Sequence, residues 1–175
     1  MEIERKFLIK EDTWSDEVSG SSVRIQQGYL AFANGNNPEV RVRVKTKVTE
    51  DGEKSSATLT IKSSGDLARM EVETSIDVDA AIQMLALCQG ITISKTRHLV
   101  PRGNHTFEVD VYHDLLDGLV VAEVELSSED EKIDPPEWLG EEVTYHKEYK
   151  NGALARHGHP DSAPSKKRPS PKSKS

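Results

Sequence analysis

Apolar and polar residues alternate with a period of two over most of the first 126 positions, the pattern of half-buried β-strands. The alternation predicts strands at 2–9, 23–32, 39–48, 56–63, 69–77, 93–100, 105–112 and 119–126. Turn-forming clusters separate several of them: Asn34-Gly35-Asn36-Asn37-Pro38, Glu50-Asp51-Gly52-Glu53, Ser63-Ser64-Gly65-Asp66 and Pro101-Arg102-Gly103-Asn104. A helix interrupts the series, with Asp79 as its cap, Ala81, Ile82, Leu85 and Leu87 as apolar positions and Gly90 as its stop. Two further helical stretches are expected at 128–142 and 144–156, the latter capped by Thr144. The fold class is therefore α+β and mainly antiparallel. The expected architecture is an eight-stranded closed barrel flanked by helices, because closure removes exposed strand edges. A two-layer α+β sandwich is the alternative.

Successive strand side chains point to opposite faces, so each strand can be sorted by parity. Arg41, Arg43, Lys45 and Lys47 oppose Val40, Val42, Val44 and Val48. Glu2, Glu4 and Lys6 oppose Ile3, Phe7 and Ile9, and Thr58, Thr60 and Lys62 oppose Leu59 and Ile61. Arg69, Glu71 and Glu73 oppose Met70 and Val72, and Lys95 and Arg97 fall together. Glu108 and Asp110 oppose Phe107, Val109 and Val111, while Glu123 and Glu125 oppose Val120, Ala122 and Val124. For any single strand a solvated outer face is the simpler reading. Together the strands fit it poorly, because like charges recur at i, i+2 and repel on a sheet unless something of opposite sign lies between them. If the charged rows face inward, Arg and Lys stand beside clustered carboxylates. Arg and Lys clamp phosphate oxygens, and carboxylates hold hard dications such as Mg²⁺ or Mn²⁺. The ligand so described is a metal-bound chain of phosphates.

Composition narrows the setting. The chain has 175 residues, 35% hydrophobic and 30% charged, which suits one domain with a modest core. The net charge of −7 conceals a division, since residues 158–175 carry five cations against Asp161. That Ser-, Pro- and Lys-rich stretch is expected to be a disordered basic tail after a folded unit at 1–157. An acidic body argues against general nucleic-acid binding. No segment approaches the ~20 apolar residues of a membrane span. The N-terminus lacks a secretory pattern and the single Cys88 forms no internal disulfide, so a cytoplasmic location is expected. Six histidines show no metal-ligand spacing and no P-loop is present.

Glu2-Ile3-Glu4-Arg5-Lys6 matches the Glu-x-Glu-x-Lys signature of the CYTH family, the triphosphate tunnel metalloenzymes. It is followed in order by Arg41-x-Arg43, Lys62, Arg69, Lys95-x-Arg97, Asp110, Glu123-x-Glu125 and Lys147. The chain resembles this family from residue 2 to about 156, and is most similar to its compact bacterial tripolyphosphatases. Gln27-Gly28-Tyr29-Leu30 resembles their second strand; where those relatives place an acid before the C-terminal lysine, this chain has His146.

The resemblance implies an eight-stranded tunnel that needs Mg²⁺ or Mn²⁺ and hydrolyses inorganic tripolyphosphate with a metal-activated water. It implies that Glu2, Glu123 and Glu125 hold one metal, and that Glu4 and Asp110 place a second metal or the attacking water. Lys6, Arg41, Arg43, Lys62, Arg69, Lys95, Arg97 and Lys147 would bind the phosphates, and Tyr29 would adjust Lys95 or the water. Thiamine triphosphate, nucleoside triphosphates and ATP cyclisation are the competing substrates and reactions, and a polyphosphate-binding module without turnover is the non-enzymatic rival. A small barrel of this kind is compatible with a homodimer.

Overall fold

The computed structural model describes residues 3–64 and 70–160. Glu2, Arg69 and residues 161–175 of the expected tail lie outside the described residues. One antiparallel sheet organises the rest, built from β1 (Ile3–Ile9), β2 (Ser19–Ala31), β3 (Glu39–Thr49), β4 (Gly52–Lys62), β5 (Glu71–Ile76), β6 (Gln89–Arg102), β7 (His105–Tyr112), β8 (Val120–Leu126) and β9 (Leu139–Glu142). Their spatial order is β5-β4-β3-β2-β6-β7-β8-β1-β9. The sheet is not closed: β5 and β9 are its two ends, and no ladder joins them among the described residues. The closed eight-stranded barrel expected from the pattern is thus corrected to an open nine-stranded sheet. Parity identifies strands and faces; it carries no information on whether the first and last strands meet.

Two of the expected turns close hairpins, and Gly65-Asp66 of a third lie outside the described residues. Thr49 pairs with Gly52 across Glu50-Asp51, with Gly52 at φ 108°, and Arg102 pairs with His105 across Gly103-Asn104. Valine-rich faces turn outward and are covered by two pads. Val42, Val44 and Ala57 pack under α1 (Val78–Leu85) through Ala81, with Met84 and Leu85 beside it. Phe7, Val100, Phe107, Val109, Ala122 and Val124 pack under Trp14 and Trp138, with Phe107 and Trp138 edge to face at 5.4 Å.

The helical expectations needed more correction. Asp77, not Asp79, caps α1: its Oδ2 accepts from Ala80 N at 3.0 Å. The stretch 128–142 forms no helix. Pro135 and Pro136 remove two backbone donors, and Glu131 turns back to accept from Ser127 N and Oγ and to meet His105 Nε2. Such local side-chain bonds compete with helix formation. The chain then runs into β9, whose start is fixed by the bond from Lys10 N to Trp138 O at 2.9 Å. Of 144–156, only a short 3₁₀ turn at Lys147–Tyr149 and α2 (Asn151–His157) are helical.

α2 lies against the inner face of the sheet. Its Leu154 and Ala155 pack with Leu8, Tyr29, Ile93, Tyr112, Val121, Val143 and Tyr149, so one end of that face is apolar and plugged. Gly90 makes this approach possible. It sits at φ 65°, and a Cβ there would stand 2.2 Å from the Ala155 carbonyl oxygen. Gly90→Ala combines a left-handed alanine with overpacking, so unfolding in urea should show a loss of about 2–5 kcal/mol. An unchanged midpoint would mean that α2 does not dock where the structure places it.

Candidate active site

The charged rows meet on the inner face because the register aligns them. Gln27 and Tyr29 of β2 stand opposite Arg43 and Arg41 of β3, which in turn face Thr58 and Thr60 of β4. Across the sheet, Arg97 faces Asp110, Glu108 faces Glu123, Lys6 faces Glu123 and Glu4 faces Glu125. One half of the face is basic, the other acidic.

A cavity of about 660 Å³ opens on the basic half. Lys6 of β1, Arg41 of β3 and Lys62 of β4 line it together with Lys147, Lys150 and Arg156 from the C-terminal stretch. Five strands separate β1 from β4 in the sheet order, so a cavity shared by both requires a strongly curled sheet. Glu4, Glu39 and Tyr29 also line it, as does His146, whose Nδ1 is 3.4 Å from Glu148. A smaller cavity of about 210 Å³ adjoins the acidic half, lined by Glu4, Glu108, Glu123 and Glu125 with His105. Glu4 borders both.

Between the halves lies a buried ionic network. Lys95 Nζ donates to Asp110 Oδ2 at 2.6 Å, with both side chains fully buried. Arg97 donates from Nε to Asp110 Oδ1 at 2.7 Å and from Nη2 to Oδ2 at 2.9 Å, and it reaches Glu108 at 2.6 Å and Glu123 at 3.3 Å. Lys6 Nζ joins Glu123 Oε1 and donates to the Tyr149 carbonyl, both at 3.2 Å. Burial favours a protonated Asp110, but Lys95 and Arg97 outweigh it and hold the carboxyl at about 2. Burial lowers the Lys95 ammonium and Asp110 opposes that shift. Burial also lowers Arg43, reinforced by its neighbours Arg41 and Arg97. Lys45 is lowered by burial and then by Arg43 and Arg97, against the opposing pull of Glu108 and Glu73. Tyr29 is raised to about 12, first by burial and then by Glu39.

The expected residues therefore divide into groups. Glu4, Lys6, Tyr29, Arg41, Lys62 and Lys147 line the basic cavity, and Glu4, Glu123 and Glu125 the acidic one. Lys95, Arg97 and Asp110 form the network between them. Arg43 is held by Gln27, its Nε donating to Oε1 at 2.9 Å. Glu2 and Arg69 lie outside the described residues. Sequence reasoning missed Glu39, Lys150 and Arg156 as cavity residues and Glu108 as a lining carboxylate, although Glu39 and Glu108 obey the parity of their strands. Lys150 and Arg156 carried no such signal.

Among the described residues no three His, Cys, Asp or Glu side chains stand together as a ready metal cage. The acidic cavity nevertheless gathers the carboxylates of Glu4, Glu108, Glu123 and Glu125, the donor chemistry of a hard dication, while the His105 ring on its wall is turned to Glu131. Mg²⁺ takes one or two carboxylates and completes its shell with water and substrate phosphates, so a full protein cage is not required. No helix among the described residues is long and apolar enough to cross a membrane.

Comparison with known proteins identifies the chain's relatives. The model of the CYTH domain matches residues 1–156. An inorganic triphosphatase of Nitrosomonas europaea is 39% identical over 158 residues, covering 88% of this chain and 96% of the relative. One of Acetivibrio thermocellus is 34% identical over 157 residues, covering 89% and 93%. A crystal structure of the inorganic triphosphatase NE1496 superposes with a TM-score of 0.65 at 34% identity, over 89% of this chain and 94% of the other.

Proposed function

The chain belongs to the CYTH domain family, and from that premise we propose that it is a triphosphatase whose substrate is inorganic tripolyphosphate bound with Mg²⁺ or Mn²⁺. The observation that carries the reading is the basic cavity beside a carboxylate-lined one, with Glu4 on both walls. Relatives more than 30% identical over nearly their whole length are inorganic triphosphatases, which supports the same reaction here.

Lys6, Arg41, Arg43, Lys62 and Lys147 would neutralise the phosphate chain, and Lys150 and Arg156 extend that field to the α2 side. Phosphoryl transfer requires chiefly positioning and charge stabilisation, which such a cluster supplies without a nucleophilic side chain. Glu4, on the wall between the halves, would orient the attacking water and take its proton as the P–O bond to the pyrophosphate leaving group breaks. Lys6 and Arg41 would meet the charge that develops on that leaving group. Tyr29, protonated across the neutral range, would donate a hydrogen bond, and Lys95, paired with Asp110, would add its positive charge from beneath the site. Glu123 and Glu125 would hold the dication, which would supply charge neutralisation of the phosphates and a more acidic water.

Phosphate release from tripolyphosphate, ATP and thiamine triphosphate tests the substrate. The basic wall reads phosphates, while the Phe32 ring is already engaged, stacked on Tyr29 at 5.5 Å and met by Arg156 at 4.8 Å. Tripolyphosphate should therefore be turned over fastest, and chelation of the metal should abolish turnover. Preference for either organic triphosphate would displace the inorganic substrate from this account.

A further inference from the structure

We infer that Gln27 is a substrate-contacting residue, whose amide Nε2 donates to a non-bridging phosphate oxygen while its Oε1 steers Arg43. The inference rests on the triphosphatase reading and adds to it a donor that the motifs do not mark. Gln27 is wholly buried, an unusual place for an amide in a sheet. Its carbonyl is accounted for, since Arg43 Nε donates to it at 2.9 Å, and that bond fixes which end of the amide carries the NH₂ group. The Nε2 has no hydrogen-bond partner among the described residues, and neither does the buried Nε of Arg41. The two orphan donors are neighbours, because Gln27 and Tyr29 stand opposite Arg43 and Arg41 in the β2–β3 register.

A buried donor without an acceptor is costly, and a leucine or methionine would fill the same space without that cost. The groups ranged around Gln27 explain why no protein acceptor serves it. One rung away on the same face are Tyr29 with Arg41, and Ile25 with Lys45 and Lys95. The carboxylate of the neighbouring network is already occupied, with one Asp110 oxygen bonded to Arg97 and the other to both Lys95 and Arg97. Burial lowers the basicity of both Arg43 and Lys45, and neighbouring guanidiniums add to that shift. An anion with several acceptor oxygens resolves all of this together. It would take the Gln27 Nε2 and Arg41 Nε donors and balance Arg41, Arg43 and Lys45. The innermost phosphate of a bound chain has this form. Because the amide is neutral, its hydrogen bond adds placement rather than field. It would set how far the chain enters.

The test is a double-mutant cycle of Gln27→Met with Arg43→Lys, with tripolyphosphate and Mg²⁺ as the probe. Met matches the length of Gln and removes both polar atoms. Lys keeps the charge of Arg43 but cannot present its Nε to Gln27. Gln27→Met should lower kcat/KM by about 10–100-fold, mainly through KM, as expected for loss of a hydrogen bond to a charged group. Its Tm should fall only modestly, because the orphan donor leaves with the amide while Arg43 Nε loses its acceptor. In the Arg43→Lys background it should still cost roughly 10-fold, the direct contact that survives once the link to Arg43 is gone. A double variant no worse than Arg43→Lys alone would show that Gln27 acts only through Arg43, and would overturn the contact. Should Gln27→Met fail to fold, Gln27→Asn withdraws the amide by one methylene and carries the same expectations. Failure of the unmodified chain to release phosphate would instead strike at the triphosphatase reading itself.

Discussion

Asp110→Asn should lower the unfolding free energy by about 3–5 kcal/mol, the largest stability effect expected of any single polar exchange in this chain. The carboxylate is wholly buried and satisfies two cations, Lys95 at 2.6 Å and Arg97 through two bonds at 2.7 and 2.9 Å. Asparagine keeps the volume but takes the counter-charge from fully buried Lys95 and leaves Arg97 with Glu108 and Glu123 alone. The same group makes a pH signature. Its folded carboxyl titrates at about 2, below the unfolded value near 4. The unfolded chain therefore binds more protons in that interval, and the stabilisation present above about pH 4 is lost as the pH falls toward 2. Urea unfolding at a series of pH values should show this slope in the parent chain and its loss in the asparagine variant. Equal stability of the two at neutral pH would mean that the network is not buried as described.

Arg41→Ala should reduce kcat/KM for tripolyphosphate by about 10²–10³-fold with little change in Tm, the scale of removing one preorganised charge-stabilising donor. Arg41 lines the basic cavity, its Nη2 lies 3.3 Å from Thr60 Oγ1, and its Nε has no hydrogen-bond partner among the described residues. Its guanidinium makes few bonds within the fold, to Thr60 and Tyr29. Arg24 offers the contrast. It belongs to β2, faces the other side of the sheet and pairs with Glu53, both side chains more than half exposed. Arg24→Ala changes the net charge identically, yet exposed pairs contribute ~1 kcal/mol or less, and activity should stay within about two-fold at moderate salt. Initial-rate measurements on the two variants would separate a site from a diffuse electrostatic effect. Similar losses in both would remove the inner face from its privileged position.

Much of the site was legible because β-structure writes its faces into the chain. The i, i+2 spacing of Arg41 and Arg43, of Lys95 and Arg97 and of Glu123 and Glu125 places each pair on one side, and the register brings those sides together. Valine rows at 42 and 44 and at 109 and 124 became the outer core, as alternation required. Other features were not local. Whether β5 meets another strand depends on twist summed over the whole sheet, and the sheet ends open. The acidic run before Pro135 had helical composition, but Glu131 found Ser127 and His105 instead. The apolar inner end was also hidden. Leu8, Val121 and Tyr112 share parity with charged residues, and only the docking of Leu154 and Ala155 explains their burial. Lys150 and Arg156 reach the cavity through the path of the chain around the last 3₁₀ turn and α2, which no spacing rule encodes.

A crystal structure of this chain with tripolyphosphate and a divalent cation would address the central claim most directly. The phosphorus atoms should lie on the inner face, with phosphate oxygens within hydrogen-bond reach of Lys6 on β1 and of Arg41 and Lys62 across the cavity on β3 and β4. Phosphate bound only on the outer face, beside Arg24 or along the exposed strand edges, would contradict the account.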